Sequence, residues 1–139
     1  MIVDTSAVVA ILRNEPGWES LFRELQADAD PKMSAATVVE LYAVADVRGE
    51  PAQGRRVDTL LKTLRIRIIP FDDTQAQLAR QAYHDFGKGS GHPAKLNLGD
   101  CFSYALAAYT SEPLLFVGND FSRTDLSTPE GIDGQQDAD

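Results

Sequence analysis

Four carboxylates in this chain sit where a carboxylate is awkward. Asp4 directly follows the β-branched pair Ile2–Val3, and Asp120 follows the apolar run Leu114 to Val117 after only Gly118 and Asn119. Glu40 has Ala36, Thr37, Ala43 and Val44 as its helical neighbours, so no local ion pair explains it. Asp100 is the only charge between Leu96 and Ser111. Gathered in one place, four carboxylates would repel, and some would hold protons unless a cation neutralised them. An oxygen-only ligand set, without histidine or thiol, selects hard cations such as Mg²⁺ or Mn²⁺. Such ions bind phosphate esters, lower the pKa of a bound water and stabilise charge on a leaving oxygen. The chemistry implied is metal-assisted phosphodiester hydrolysis.

Each of these residues also has an ordinary structural use. Thr37-x-x-Glu40 spells a capping box, although that needs a helix starting near Val38 and Ser34 is an equally good cap further back. Asp100 can cap or begin a helix and favour its N-terminal dipole. Thr5 or Ser6 can serve as an N-cap, and Asn119 suits a turn. Spacing alone does not bring positions 4, 40, 100 and 120 together; a fold must.

The elements that would do so can be read from periodicity. Ile2–Val3 is a short strand, followed by a helix from about Ser6 to Arg13. Trp18, Leu21, Phe22 and Leu25 recur at i, i+3, i+4, i+7, and Val57, Leu60, Leu61 and Leu64 form another helical stripe. Met33–Ser34 is a strand stub before a helix from Ala35 to Val47, with Val38, Leu41, Tyr42 and Ala45 on one face. Ile66 to Phe71 reads as a strand, and Asp72 or Asp73 caps a helix carrying Ala79, Ala82, Tyr83 and Phe86. A Gly-rich loop, Gly87 to Lys95, precedes a helix from Leu98 to Thr110 whose apolar stripe is Leu98, Cys101, Ala105 and Tyr109. Leu114 to Val117 is the last strand. Short strands alternating with helices predict an α/β domain with a mostly parallel sheet, whose ligands gather at the strands' carboxyl ends.

Length and composition agree. At 139 residues with 43% hydrophobic content the chain suits one domain, with roughly two-thirds of its unfolded surface buried. We expect residues 1–127 to form it and residues 128–139, poor in apolar side chains, to be a flexible tail. The single cysteine, Cys101, excludes an intramolecular disulfide and a cysteine zinc site. No apolar stretch reaches the roughly 18–20 residues that span a bilayer, and Asp4 interrupts the only segment resembling a leader, so the expected location is cytoplasmic, away from membranes. The net charge of −8 argues against broad nonspecific nucleic-acid affinity, yet leaves room for an enzyme that meets phosphate through a metal ion.

Four segments together, "MIVDTSAVVAIL", "MSAATVVELY", "LNLGDCFSYALA" and "LLFVGNDFSRTDL", resemble the PIN-domain ribonucleases in order and interval, and among them the VapC-type toxins of bacterial toxin–antitoxin pairs. The resemblance runs to about Thr128. It implies a small PIN-like α/β/α sandwich with a short-stranded, mostly parallel central sheet. It also implies a Mg²⁺- or Mn²⁺-dependent endoribonuclease acting on tRNA, rRNA or another cellular RNA. The family's acidic quartet falls on Asp4, Glu40, Asp100 and Asp120: Asp4, Asp100 and Asp120 holding metal, Glu40 acting through water, a second ion or as general base. Its supporting positions fall on Thr5, with Ser6 beside it, and on Asn97; Asn119 is a further candidate. The resemblance further implies a homodimer and a cognate antitoxin of the VapB type. Asp125, the second aspartate of the last segment, is present without an assigned role.

Other residues carry less. Lys88 and Lys95 are candidates for contacting RNA phosphates. His92 and His84 read as solvated, Cys101 as a buried small group, and Trp18, Phe22 and Leu25 as core or as a dimer or antitoxin surface. Arg48, Arg55, Arg56, Arg65 and Arg67 read as scattered surface charge that could form an RNA track. Two alternatives stand beside the nuclease. One is a PIN fold that only binds RNA or its antitoxin. The other is a receiver-like phosphoacceptor suggested by Asp72–Asp73, which lacks the lysine expected just after a late strand.

Overall fold

The computed structural model describes residues 1–46, 51–122 and 124–126. Four strands, β1 (Ile2–Val3), β2 (Lys32–Ser34), β3 (Arg67–Ile69) and β4 (Leu114–Leu115), form one parallel sheet in the order β3-β2-β1-β4. Six helices accompany them: α1 (Thr5–Leu12), α2 (Trp18–Ala27), α3 (Ala35–Ala45), α4 (Pro51–Thr63), α5 (Asp73–Phe86) and α6 (Leu98–Thr110).

Alternation along the strands builds the layers. Ile2 and Leu114 point into one apolar cluster, with Ala79 and Ala82 of α5 and Cys101, Ala105 and Leu106 of α6. Their neighbours Val3 and Leu115 point into the other, with Val8 and Ile11 of α1, Leu21 and Leu25 of α2, Leu41 of α3 and Val57 of α4. Both faces of the sheet are therefore covered, which is why these strands read as unbroken apolar pairs rather than as alternating ones. The expected α/β/α sandwich is present. Trp18 and Phe22 are only partly buried, packing on the second cluster with ring centroids 6.3 Å apart.

Strand pairing is shorter than the apolar runs suggest. The run Ile66 to Phe71 pairs only over Arg67–Ile69, and Leu114 to Val117 only over Leu114–Leu115. Each ladder is limited by its neighbour: β4 has only the two residues of β1 to pair with, Ile2↔Leu114 and Val3↔Leu115. The chain runs outward through β1, β2 and β3 and returns to the far side of β1 as β4. The strand order thus reverses between β1 and β4, and the crevice at their carboxyl ends is where such sheets bind ligands. The tail expected from residue 128 onward, and Arg48, lie outside the described residues.

Candidate active site

Asp4 leaves β1 and becomes the N-cap of α1. Oδ2 accepts hydrogen bonds from the Ser6 backbone N–H at 3.1 Å and the Ser6 hydroxyl at 2.7 Å. Oδ1 accepts from the Ser103 hydroxyl of α6 at 2.5 Å. Capping therefore falls to Asp4 itself rather than to Thr5 or Ser6. The same hydroxyls tie four segments together. Ser6 Oγ accepts from Val117 N–H at 3.0 Å, fixing the chain after β4, and Thr37 Oγ1 of α3 lies 3.3 Å from Ser103 Oγ. Since the Ser103 proton goes to Asp4, Thr37 is the donor in that last bond. Asp4 is buried, and burial raises its carboxyl pKa against the opposing bonds from Ser103 and Ser6.

Asp100 sits in the first turn of α6. Asn97 is the N-cap, its Oδ1 accepting from Asp100 N–H at 2.8 Å, while Asp100 Oδ2 accepts from Asn97 N–H at 2.9 Å. This reciprocal capping box gives Asp100 the ordinary role weighed above and makes Asn97 the cap of α6. It does not exhaust Asp100, whose Oδ1 has no partner among the described residues. Its carboxyl pKa is pushed up to about 7, first by burial and then by the charges of Asp4, Asp120 and Glu40, with the Asn97 bond opposing. All three other acids of the quartet thus lie near enough to Asp100 for their charges to act on it.

Glu40 is half-buried on α3, which Ser34 caps by accepting from Ala36 N–H at 3.2 Å; the alternative start near Val38 is not used. Burial raises the Glu40 pKa, a nearby Thr5 hydroxyl opposes the rise, and the charge of Asp4 adds to it. Its carboxylate lies against Gly99 of α6, a residue that sequence reasoning passed over. The available signal was a glycine in the first turn of an otherwise well-formed helix. Asp120 is exposed on the turn after β4. Gly118 makes that turn with φ +100°, a conformation glycine adopts without strain, and Phe121 anchors it, buried and packed on Phe116 at 5.0 Å. Asp125 gains a role here: it accepts from the Tyr104 hydroxyl of α6 at 2.6 Å and ties the far end of the Asp120 turn to α6. Asn119 is exposed, and its carbonyl accepts from Ser122 Oγ at 2.7 Å, a turn contact.

None of the four acids pairs with a cationic side chain among the described residues. Nor, among those residues, are three acidic, histidine or cysteine side chains placed together so as to hold a metal ion. Carboxylates without histidine or thiol are the donor set of a hard divalent cation that keeps several of its waters. A second observation fits the same group. Thr5 Oγ1 is buried, lies close enough to Glu40 to oppose the rise in its pKa, and makes no hydrogen bond of acceptable geometry among the described residues, so a buried polar oxygen is left unsatisfied beside the acids.

The remaining candidates are not drawn into this cluster. Lys88 and Lys95 are exposed on the loop that enters α6. His92 is half-buried rather than solvated: Nδ1 accepts from Ala94 N–H at 3.1 Å and the ring packs edge-on against Phe86 at 4.9 Å. His84 is exposed beside Asp85. Asp72 caps α5 through Gln75 N–H at 2.9 Å, which accounts for the residue that suggested a phosphoacceptor. Arg55 and Arg56 line a groove of about 480 Å³ between α1 and α4, and Arg67 is ion-paired.

The chain as a whole is similar to known proteins. The PIN domain model matches residues 1–126. Ribonuclease VapC42 of Mycobacterium tuberculosis is 52% identical over 126 residues, covering 91% of this chain and 96% of the relative. Ribonuclease VapC28 of the same organism is 49% identical over 125 residues, covering 89% and 93%. Among solved structures, the Mycobacterium tuberculosis toxin VapC20, described as cleaving the sarcin–ricin loop, superposes with a TM-score of 0.70 at 14% identity over 92% of this chain and 97% of its own. VapBC2 from Rickettsia felis, bound to a promoter DNA fragment, gives 0.71 at 17% identity over 92% and 96%.

Proposed function

Because the chain belongs to the PIN-domain family and, within it, to the VapC ribonucleases, we propose that it is the toxin of a toxin–antitoxin pair, an endoribonuclease whose site is the acidic crevice between β1 and β4. The observation that carries this reading is the convergence of Asp4, Glu40 and Asp120 on Asp100 with no cationic side chain among the described residues to neutralise them.

Asp4, Asp100 and Asp120 hold Mg²⁺ or Mn²⁺ directly or through water, and Glu40 holds a water or a second ion, or takes a proton as general base. The bound ion offsets the carboxylate charge, makes a water more acidic and stabilises charge developing on the phosphate. The chain's own residues prepare that site. Ser103 and Ser6 fix both oxygens of Asp4, so its orientation does not depend on the ligand. The Asn97 N–H fixes one oxygen of Asp100 and leaves the other available. The raised pKa of Glu40 brings a carboxylate closer to the neutral range in which a general base works best. Lys88 and Lys95 reach RNA phosphates from the loop before α6. A VapB-type antitoxin and a second copy of the chain complete the assembly. No helix among the described residues is long and apolar enough to cross a membrane, and the cytoplasm, which holds the RNA, is the place of action.

The test is incubation of antitoxin-free protein with total bacterial RNA in Mg²⁺, in Mn²⁺ and with a chelator, beside Asp100→Asn, with fragment ends sequenced. We expect discrete metal-dependent cuts, and in the variant a loss greater than the roughly 10- to 100-fold expected when a group that only orients a metal ligand is removed. Asparagine keeps an oxygen for the capping box, so the fold should persist. A fully active Asp100→Asn protein would refute the assignment.

A further inference from the structure

We infer that Gly99 is a positioning residue: its missing side chain makes the space in which the Glu40 carboxylate lies against the first turn of α6, one residue from Asp100. This rests on the nuclease reading above.

Gly99 is buried at the second position of α6. Its backbone does not require glycine. The positive-φ glycines are Gly17, Gly89, Gly91 and Gly118, and Gly99 is not among them. Helix propensity favours alanine at such a position. What excludes alanine is a tertiary neighbour. A methyl group on Gly99 would lie 1.4 Å from Glu40 Oε2, 2.3 Å from Cδ and 2.9 Å from Oε1. All three nearest atoms belong to one carboxylate on another helix.

Gly54 and Gly87 lack this property. A methyl group on Gly54 of α4 meets only Asp46 Oδ1 at 3.7 Å, an ordinary contact, whereas one on Gly87 strikes the Tyr83 carbonyl oxygen at 2.2 Å, which is backbone. At Gly99 the obstacle is the mobile end of a half-buried side chain. A larger residue there is accommodated by moving the carboxylate, not the main chain. The fold survives and the site changes. Glycine at position 99 therefore trades helix propensity for the placement of Glu40 beside Asp100.

The experiment is a double-mutant cycle: wild type, Gly99→Ala, Glu40→Ala and the pair. Thermal midpoints of the metal-free proteins are read first, then Mn²⁺ affinity and metal-dependent RNA cleavage. With glutamate at 40, alanine at 99 should raise the midpoint less than it does with alanine at 40, because only the first pair is in conflict. Gly99→Ala should stay folded and lose roughly 10- to 100-fold in cleavage, the range for groups that orient a metal site. Mn²⁺ affinity should fall with it. In the Glu40→Ala background, Gly99→Ala should change cleavage by less than about twofold, since the side chain it displaces is gone. Equal midpoint shifts in the two backgrounds would overturn the contact, without any bearing on the reaction. Additive cleavage losses, or a fully active Gly99→Ala, would overturn the positioning role. A wild type without metal-dependent cleavage would refute the nuclease reading, and the positioning role with it, while the midpoints would still decide the contact.

Discussion

The two ends of the parallel sheet carry similar acids and treat them in opposite ways. At the amino ends of the strands, Asp28, Asp30 and Glu112 each meet a cation. The Met1 ammonium lies 2.8 Å from Asp28 and 3.1 Å from Glu112; Lys32 lies 2.8 Å from Glu112 and 3.2 Å from Asp30. Arg67 donates to Asp30 twice, at 3.1 and 2.8 Å. Arg67, then Lys32, hold the Asp30 carboxyl well below the usual range. Burial pushes Glu112 up, but Lys32 and the Met1 ammonium outweigh it and the net shift is down. At the carboxyl ends, Asp4, Glu40 and Asp100 are all shifted up, with burial the leading cause in each. One end uses its acids to hold the sheet's edge together. At the other, no cationic side chain among the described residues pairs with the acids, and their raised pKa values are the cost of that arrangement to the folded state.

The sharpest way to break that contrast is to disturb one end and read the other's property. Ser103 is fully buried and its hydroxyl is the sole partner of Asp4 Oδ1 among the described residues. Ser103→Ala should cost roughly 10- to 100-fold in cleavage, as expected for a residue that orients a ligand. Removing a hydrogen bond to the charged form should also raise the Asp4 pKa further. Cleavage rates across pH would check both: the acid limb of the profile should move to higher pH. An unchanged rate would mean that the hydroxyl network is structural only.

A smaller effect follows from linkage in the metal-free protein. The Asp100 carboxyl titrates at about 7 when folded and near ~3.9 when unfolded. Between those values the folded state holds more protons than the unfolded one, so stability falls as pH rises. The amino-end acids do the reverse, but their lowered pKa values complete that gain at more acidic pH. Thermal midpoints should therefore decline from about pH 5.5 to about pH 8 in chelator. Asp100→Asn should flatten the decline, and Mn²⁺ should reverse it in the wild type. A midpoint that rises across that range would contradict the upward shifts at the carboxyl end.

How much of this was legible follows the same division. Asp4 and Asp120 stood out because an apolar run too regular for a loop ended in an acid, a pattern that survives even when pairing covers two residues. The bounds of α6 were readable from its cap and its apolar content. Its faces were not. Leu98 and Tyr109, placed on the apolar stripe by periodicity, are 60% and 51% exposed, while Asp100 and Ser103 are buried. A helix packed against the sheet, α5 and α3 at once is not amphipathic in the simple sense, and its polar atoms face the site. Gly99 was illegible because its reason lies on α3. The amino-end network was illegible for a similar cause. Its charges come from segments near residues 1, 30, 67 and 112, and they meet only through the strand registers, among them Lys32↔Arg67.

That network sets the smallest predictions. Lys32 is the bridging cation: its side chain is 13% exposed, and its bonds to Glu112 and Asp30 raise its pKa despite burial. Lys32→Met keeps the stem's packing and removes the charge, leaving Glu112 half-served by Met1. We expect a loss of about 1–2 kcal/mol, in keeping with hydrogen bonds to a charged group. Arg67 is far more exposed, at 58%, and so is its partner Asp30 at 49%. Solvent and salt screen that pair, so Arg67→Ala should cost less than Lys32→Met, and less again at high ionic strength. Urea denaturation at two salt concentrations would measure both losses. Cleavage by the folded variants should equal that of wild type, because neither residue reaches the carboxyl end. If Lys32→Met left stability unchanged yet slowed cleavage, the two ends would be coupled through β1, and the division of labour between them would be wrong.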